Sequence, residues 1–378
     1  MTIRPLYAAL VVAMIRLCVN GLQAQTLESI TPGKLWPDNQ GEHINAHGGN
    51  IIFHEGTYYW YGENRPARGF TTEMGISVYS SSDLMNWRND GVALAVTEHP
   101  GDDIERGCIM ERPKVVYNAE TKQFVMLFHL ELKGRGYEAA RVGFAVSDSP
   151  TGPFTFIRSL RPNAGLWPMD FTKRDIKQAM ALDEGEFKEW WTIEWRRAVD
   201  KGLLLKRDLP SGQMSRDMTV FVDDDGRAYH IYAAEENLTL NIAELTPDYL
   251  DYTGRYIRIA PGGHNEAPTI MKRDGTYWMI TSGCTGWEPN EARMFRATSI
   301  WGPWEQLPSP FRGEGAEKSF YTQGTYILKV EETNQYIFMA DRWKPPSLKY
   351  SRYVWLPITF DTDGTPILRW VDEWIIGK

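Results

Sequence analysis

A chain of 378 residues with 42% hydrophobic side chains is long enough to bury a large core. Its formal charge of −8, with no run of Lys or Arg, argues against nucleic acid or an anionic membrane surface as partner. Aromatic residues make up 13% of the chain, including 15 Trp, a rich supply of planar faces that suit stacking on sugar rings as well as core filling.

The chain opens "MTIRPLYAALVVAMIRLCVNGLQAQ". Arg4, an apolar stretch from Leu6 to Ile15 and the small-residue ending at Ala24 predict a secretory leader, 1–24, and a secreted or periplasmic product. The apolar stretch is too short to span a bilayer. Cys18 leaves with that leader, and Cys108 and Cys284 are expected to be free and buried. No Cys or His stands at metal-ligand spacing, so no metal and no other cofactor is implied.

From there to residue 378 one hairpin is written five times: "IIFHEGTYYWYG", "VVYNAETKQFVMLFH", "VFVDDDGRAYHIYAA", "IMKRDGTYWMITSG" and "YILKVEETNQYIFMAD". Each pairs a short apolar strand with an aromatic-rich one across a polar turn, and each is followed by a third strand and a less regular fourth. Five four-stranded units predict an all-β, five-bladed β-propeller as a single domain, 25–378. The Asp223-Asp224-Asp225-Gly226 run reads as the third hairpin's turn, because it lacks the alternate spacing of a calcium loop. Between the second and third hairpins lie about 40 to 50 extra residues, a helical insertion at about 161–213. Within it Phe187, Trp191, Trp195 and Ala198 share a helical face, with Asp183 and Glu186 as an N-terminal capping pair and Gly202 as the stop.

In a propeller the first strand of each blade lines the central channel, so polar residues at its start face a common funnel. Those starts are His47 in "NAHGGNI", Glu111 in "MERPKVV", Asp217 in "SRDMTVF", Glu266 in "NEAPTIM" and Gln323 in "YTQGTYI". Any one acid alone reads as an ion pair with a neighbour, Glu111 with Arg112 or Lys114 and Asp217 with Arg216. Several at equivalent positions provide what glycosidic bond cleavage needs, a protonated acid and a second carboxylate in one polar site.

These residues resemble glycoside hydrolase family 43, and the resemblance runs from about Asn45 to Trp370. It implies Glu266 as general acid and Asp217 as the group that tunes and orients it. The family's catalytic Asp at the start of blade one has no counterpart here. The motifs "AHGG", "YYWYGE", "ERPKV", "SRDM" and "TGW" are similar to the branch with exo-β-1,3-galactanases, which also lacks that Asp. That similarity implies Gln323 as candidate base through an imidic-acid tautomer, and Glu111 as the residue that positions substrate or water. Glu63, Tyr137, Thr285, Gly286 and Trp287 match sugar contacts, and Arg342 and His47 are further candidates. The expected activity is exo-acting, inverting removal of a terminal sugar from an oligo- or polysaccharide. Galactosyl is the first choice, followed by L-arabinofuranosyl and D-galactofuranosyl. The missing Asp motivates one alternative, a propeller that binds glycans without cleaving them.

Overall fold

Turn chemistry sets the blades. The computed structural model describes residues 26–187, 189–331 and 333–377, and the expected leader with Cys18 lies outside the described residues. Blade one runs β1 (His47–His54), β2 (Thr57–Glu63), β3 (Gly75–Ser81) and β4 (Arg88–Ala95), each strand antiparallel to the next. Between β1 and β2 the two turn residues Glu55 and Gly56 have φ of 47° and 79°, the left-handed pair that matches the twist of a two-residue hairpin.

Blades two to four repeat the order: β5 (Ile109–Asn118) to β6 (Gln123–Glu131), β7 (Arg141–Ser147) and β8 (Thr155–Leu160); β9 (Met218–Val222) to β10 (Ala228–Ala234), β11 (Thr239–Leu245) and β12 (Tyr252–Ile259); β13 (Glu266–Arg273) to β14 (Thr276–Ser282), β15 (Arg293–Ala297) and β16 (Glu305–Leu307). A short β17 (Phe311–Arg312) precedes blade five, whose strands are β18 (Gln323–Val330), β19 (Gln335–Arg342), β20 (Arg352–Phe360) and β21 (Pro366–Arg369). The outer strand β21 then takes β17 as a parallel fifth member. Inner strands touch in the sequence β1, β5, β9, β13, β18 and back to β1, so the ring closes.

Closure depends on aromatic packing between the first and last blades. Trp36 and Trp60 each meet Trp355, at 4.7 and 4.8 Å between ring centroids, and Trp60 meets Trp87 at 5.3 Å. The indole N–H groups of Trp36 and Trp87 are satisfied by the Met85 and Leu84 carbonyls at 2.8 and 3.2 Å. A backbone bridge between Ile30 and Trp374 fastens the two ends of the described chain beside it.

Between β8 and β9 lies the helical insertion, α1 (Lys173–Met180), α2 (Ile193–Asp200) and α3 (Leu203–Asp208). It is shorter in helix than the pattern over 183–202 suggests. Asp183 caps only a 3-10 turn, accepting from the Gly185 N–H at 2.9 Å, and Trp191 has a left-handed φ of 74°. The helix starts after Thr192, whose hydroxyl accepts from the Trp195 N–H at 3.2 Å and outcompetes the upstream start. Trp195 and Ala198 are buried as expected, whereas Trp191 is exposed and leans on the His264 ring. Gly202, at φ 100°, ends α2 and begins α3. Buried Arg258, paired to Glu235 at 2.7 Å, donates to the Val199 and Asp200 carbonyls and so holds the negative end of α2 against blade three.

Cys108 and Cys284 are both free, Cys108 buried as expected and Cys284 only half-buried, and no helix among the described residues is long and apolar enough to cross a membrane. Replacing Trp355 by Ala removes the ring shared by the closure cluster. We expect Trp355→Ala to lose about 3–5 kcal/mol of unfolding free energy in a urea titration; a loss under about 1 kcal/mol would show that the ring closes by other means.

Candidate active site

One local device aims the heads of three inner strands. Pairing with the second strand slips just after His47, Glu111 and Glu266, and the next residue in each case, Gly48, Arg112 or Ala267, has φ of 65°, 52° or 49°. A bulge with a left-handed residue re-aims the neighbouring side chain. At Gly48 the constraint is also steric, since a Cβ there would sit 2.2 Å from a Glu63 carboxylate oxygen.

The resulting funnel, a cavity of about 390 Å³, is lined by acids from blades two, three and four and by Gln323 from blade five. Arg112 is its centre. Its guanidinium grips Asp217 with two bonds, Nε to Oδ1 at 3.0 Å and Nη2 to Oδ2 at 2.8 Å, and also reaches Gln323 Oε1 at 2.5 Å and the Gly324 carbonyl at 3.2 Å. Asp217 accepts a further bond from the Ala267 N–H at 3.1 Å, next to Glu266. Fully buried Lys114 donates to the Gly48 and Arg112 carbonyls at 2.7 and 3.2 Å, which secures the bulged backbone of both blades.

Glu266 sits in a different electrostatic setting. Burial first and the Asp217 charge second push its carboxyl up to about 7, against the opposing Cys284 thiol bond and the charges of Arg112 and Arg216. Both of its donors, Asn237 Nδ2 at 2.7 Å and Cys284 Sγ at 3.2 Å, approach Oε1. Such a group holds a proton near neutral pH.

Glu111 is the opposite case. Burial would raise its carboxyl, but Arg65 and the His129 ring override it and hold the group well below the usual carboxylate range. Arg65 Nη2 and the Tyr137 hydroxyl donate to Oε1 at 2.7 and 3.0 Å, and His129 Nδ1 pairs with Oε2 at 3.2 Å. His129 also contacts Glu131 at 2.8 Å; burial alone would lower the ring, and the two flanking carboxylates bring it to about 9, so it carries a charge at neutral pH. Glu111, His129 and Asp217 each offer one ligand atom within 4.8 Å of the others. With Arg65 on Glu111, Arg112 on Asp217 and a protonated His129, that trio is arranged for internal ion pairs and does not suit a cation.

Gln323 is held in one orientation by chemistry alone. Arg112 and the Trp343 indole, at 2.9 Å, are donors only, so the atom they share is the amide oxygen; Nε2 then donates to the Ser282 hydroxyl at 3.0 Å. Two donors on that oxygen favour the amide over an imidic acid, which would need a proton there.

Of the expected sugar contacts, Tyr137, Gly286 and Trp287 line the funnel. Others do not reach its wall. His47 is fully buried, stacked on Tyr353 and paired with Asp341 at 3.3 Å. Buried Glu63 ties the Arg112 N–H and the Arg65 guanidinium, at 2.8 and 2.5 Å. Thr285 lines a separate cavity and bonds within its own loop, and Arg342 opens on clefts beside blade five. The neighbours that pair with the acids are also not the expected ones: Arg112 serves Asp217 in place of Arg216, and Arg65 serves Glu111 in place of Arg112 or Lys114. His129, Asn237 and Trp343 join the site without having been singled out from sequence, and Arg112 and Cys284 take roles in it other than the ion pair with Glu111 and the free thiol that the sequence suggests. Only His129 and Glu131, two polar residues of one face in the apolar strand "QFVMLFHLE", left a readable signal.

A five-bladed propeller that gathers three carboxyl groups in one funnel, Glu266 holding its proton and Glu111 held ionised, is a scaffold for carbohydrate chemistry. Residues 194–366 match the glycosyl hydrolases family 43 profile. A family 43 β-1,3-galactosidase solved with galactodeoxynojirimycin is 61% identical over 92% of this chain and 100% of its own, with a TM-score of 0.90. Exo-β-1,3-galactanases of Phanerochaete chrysosporium, solved with β-1,3-galactotriose, and of Clostridium thermocellum are 31% and 35% identical. Both match over 92% of this chain, and over 68% and 66% of their own, with a TM-score of 0.73. A β-D-galactofuranosidase of Aspergillus niger is 31% identical over 99 residues, 26% of this chain and 28% of that protein. The chain belongs to glycosyl hydrolases family 43, and with it to the glycosidases.

Removing the buried Arg112 side chain would leave half-buried Asp217 without its partner. Arg112→Ala should cost about 3–5 kcal/mol in thermal or urea unfolding, and Arg112→Lys, which cannot bond in two-pronged fashion, should recover only part of it. Full recovery by Lys would mean that charge alone matters.

Proposed function

We propose that this protein is an exo-acting, inverting glycosidase that removes terminal galactose from β-1,3-linked galactan chains. The observation that carries the reaction class is the contrast between two carboxyl groups of one funnel, Glu266 held up to about 7 and Glu111 held ionised. The choice of sugar rests on the similar solved proteins, a β-1,3-galactosidase matched along its whole length and an exo-β-1,3-galactanase solved with β-1,3-galactotriose.

In this reading Glu266 gives its proton to the departing glycosidic oxygen. Asp217 keeps that proton in place by its charge, and Arg112 keeps Asp217 in place. The amide form of Gln323 leaves Glu111 to receive the proton of the attacking water, while Gln323, fixed by Arg112, Trp343 and Ser282, positions water and sugar. Trp287, 43% exposed and edge-on to Trp343 at 5.6 Å, supplies a stacking face at the funnel wall.

Chromatography of products from β-1,3-galactan oligomers tests the reading. Wild type should release galactose, with the α-anomer forming first from a β-linkage by NMR, and Glu266→Gln should reduce kcat by about 10²–10⁴. Binding without release in wild type would instead support a glycan-binding propeller. Azide should restore turnover to Glu111→Ala, since it needs no base. Rescue of Gln323→Ala with none of Glu111→Ala would transfer the base role to Gln323.

The pH profile carries its own sign. A general acid works in its protonated form, so kcat/KM should fall as pH rises through about 7. The Cys284 thiol favours the ionised form, so Cys284→Ala should move this limb to higher pH; Asp217→Asn removes the like charge and should move it lower. Shifts in the same direction would refute the assignment.

A further inference from the structure

Beyond Trp287 and Trp343 a smaller cleft of about 170 Å³ shares Gln323 and both indoles with the funnel and adds Tyr321 and Arg342. Those same two residues also line an open cleft of about 750 Å³ whose other walls include Arg312, Arg369 and Trp370. Three guanidinium groups around one cleft are unexpected on a chain of charge −8.

Their placement is more unusual than their number. Arg312 and Arg369 are direct partners on the β17–β21 pair, where like charges repel, and both are exposed. Among the described residues, no carboxylate forms an ion pair with either of them or with Arg342, and Glu314, on the rim of the cleft, pairs with none of the three. Arg342 is held in place without a counter-charge. Its guanidinium lies 5.3 Å over Trp370, its Nη2 donates to the Phe320 carbonyl at 2.8 Å, and its Nε is buried with no acceptor. A Cβ on Gly33 would come within 3.1 Å of Nη1, so glycine leaves the room that this pose needs.

Backbone strain points to the same place. Ser319, Phe320 and Tyr321 have consecutive φ of 51°, 55° and 63°, a left-handed run without glycine just before Gln323. The run presents the Tyr321 ring to solvent at 51% exposure. Strain of this kind persists where surrounding structure enforces it, and it collects at ligand clamps. Here it sets an exposed ring on the path between the funnel and the arginines.

We propose that the cleft is an accessory subsite for an anionic sugar, bearing a carboxylate or a sulfate ester, carried by the glycan whose end enters the funnel. The proposal rests on the glycan-hydrolysing reading above and names a feature of its substrate. Arg369 offers its planar fork to the anion and Arg312, whose Nη1 donates to the Ser309 and Phe311 carbonyls, offers the Nε–Nη2 edge, while Tyr321 and Trp370 supply faces for the ring that bears the charge.

Calorimetry on the Glu266→Gln protein reads this without turnover. Three matched β-1,3-galactan oligosaccharides serve as probes: neutral, bearing one uronate, and bearing one sulfate. At least one anionic probe should bind about tenfold more tightly than the neutral one, with the advantage lost in Glu266→Gln/Arg312→Gln/Arg369→Gln and reduced by salt. Neutral binding should be equal in both proteins, which also reports that the variant is folded. Preference between the two anionic probes says which group the cleft takes. Equal binding of all three probes, failure of both anionic probes to bind, or a preference that survives the loss of both arginines would overturn the subsite. Hydrolysis of the neutral oligosaccharide by wild type is a separate readout; its failure would count against the proposed activity and leave the comparison of anionic and neutral binding to stand.

Discussion

The funnel depends on one buried cation. Arg112 leaves blade two on a left-handed bulge and bonds to Asp217 of blade three and Gln323 of blade five, while Asp217 in turn accepts from the backbone at the start of blade four. A guanidinium suits this because its planar fork delivers several bonds in fixed directions, which a lysine cannot do. Removing it from water is costly, and the structure offsets that cost with a bidentate carboxylate and two carbonyl-type acceptors.

From that hub follows the division between the carboxyl groups. Asp217 is neutralised by its partner but still lies close enough to Glu266 to oppose its ionisation. Glu266, with a thiol and an amide as its donors, has no cation in bonding contact among the described residues. Glu111 has two, Arg65 and His129. Similar side chains at equivalent blade positions thus reach different protonation states because their direct bonding partners differ.

Packing and chemistry are kept apart in the fold. The Trp cluster between the first and last blades closes the ring with apolar area, leaving the inner strand heads free to be polar. The helical insertion adds its own small core of Trp195, Val199, Leu203 and Leu204, and none of its three helices lines the funnel. Arg258, itself held by Glu235, ties it to blade three through the Val199 and Asp200 carbonyls, and Arg207 adds an ion pair with Glu236.

Much was legible from sequence because hairpins are local. Turns such as Asp274-Gly275, with φ of 51° and 75°, sit between alternating strands, so five blades and the five inner strand heads could be read directly. The sequence also carried the resemblance that singled out Glu266, Asp217 and Glu111. What it could not carry was partnership. Arg112 meets Asp217 across 105 residues and Gln323 across 211, Arg65 meets Glu111 across 46, and Cys284 meets Glu266 through a loop. These pairs are set by how the blades turn about the axis and by bulges that re-aim single side chains, neither of which leaves a periodic mark. For the same reason His47 and Glu63 read as funnel residues yet lie beneath it. Strand pattern decided which residues head the blades; only ring closure decided which of them face the cavity and what charge each one bears.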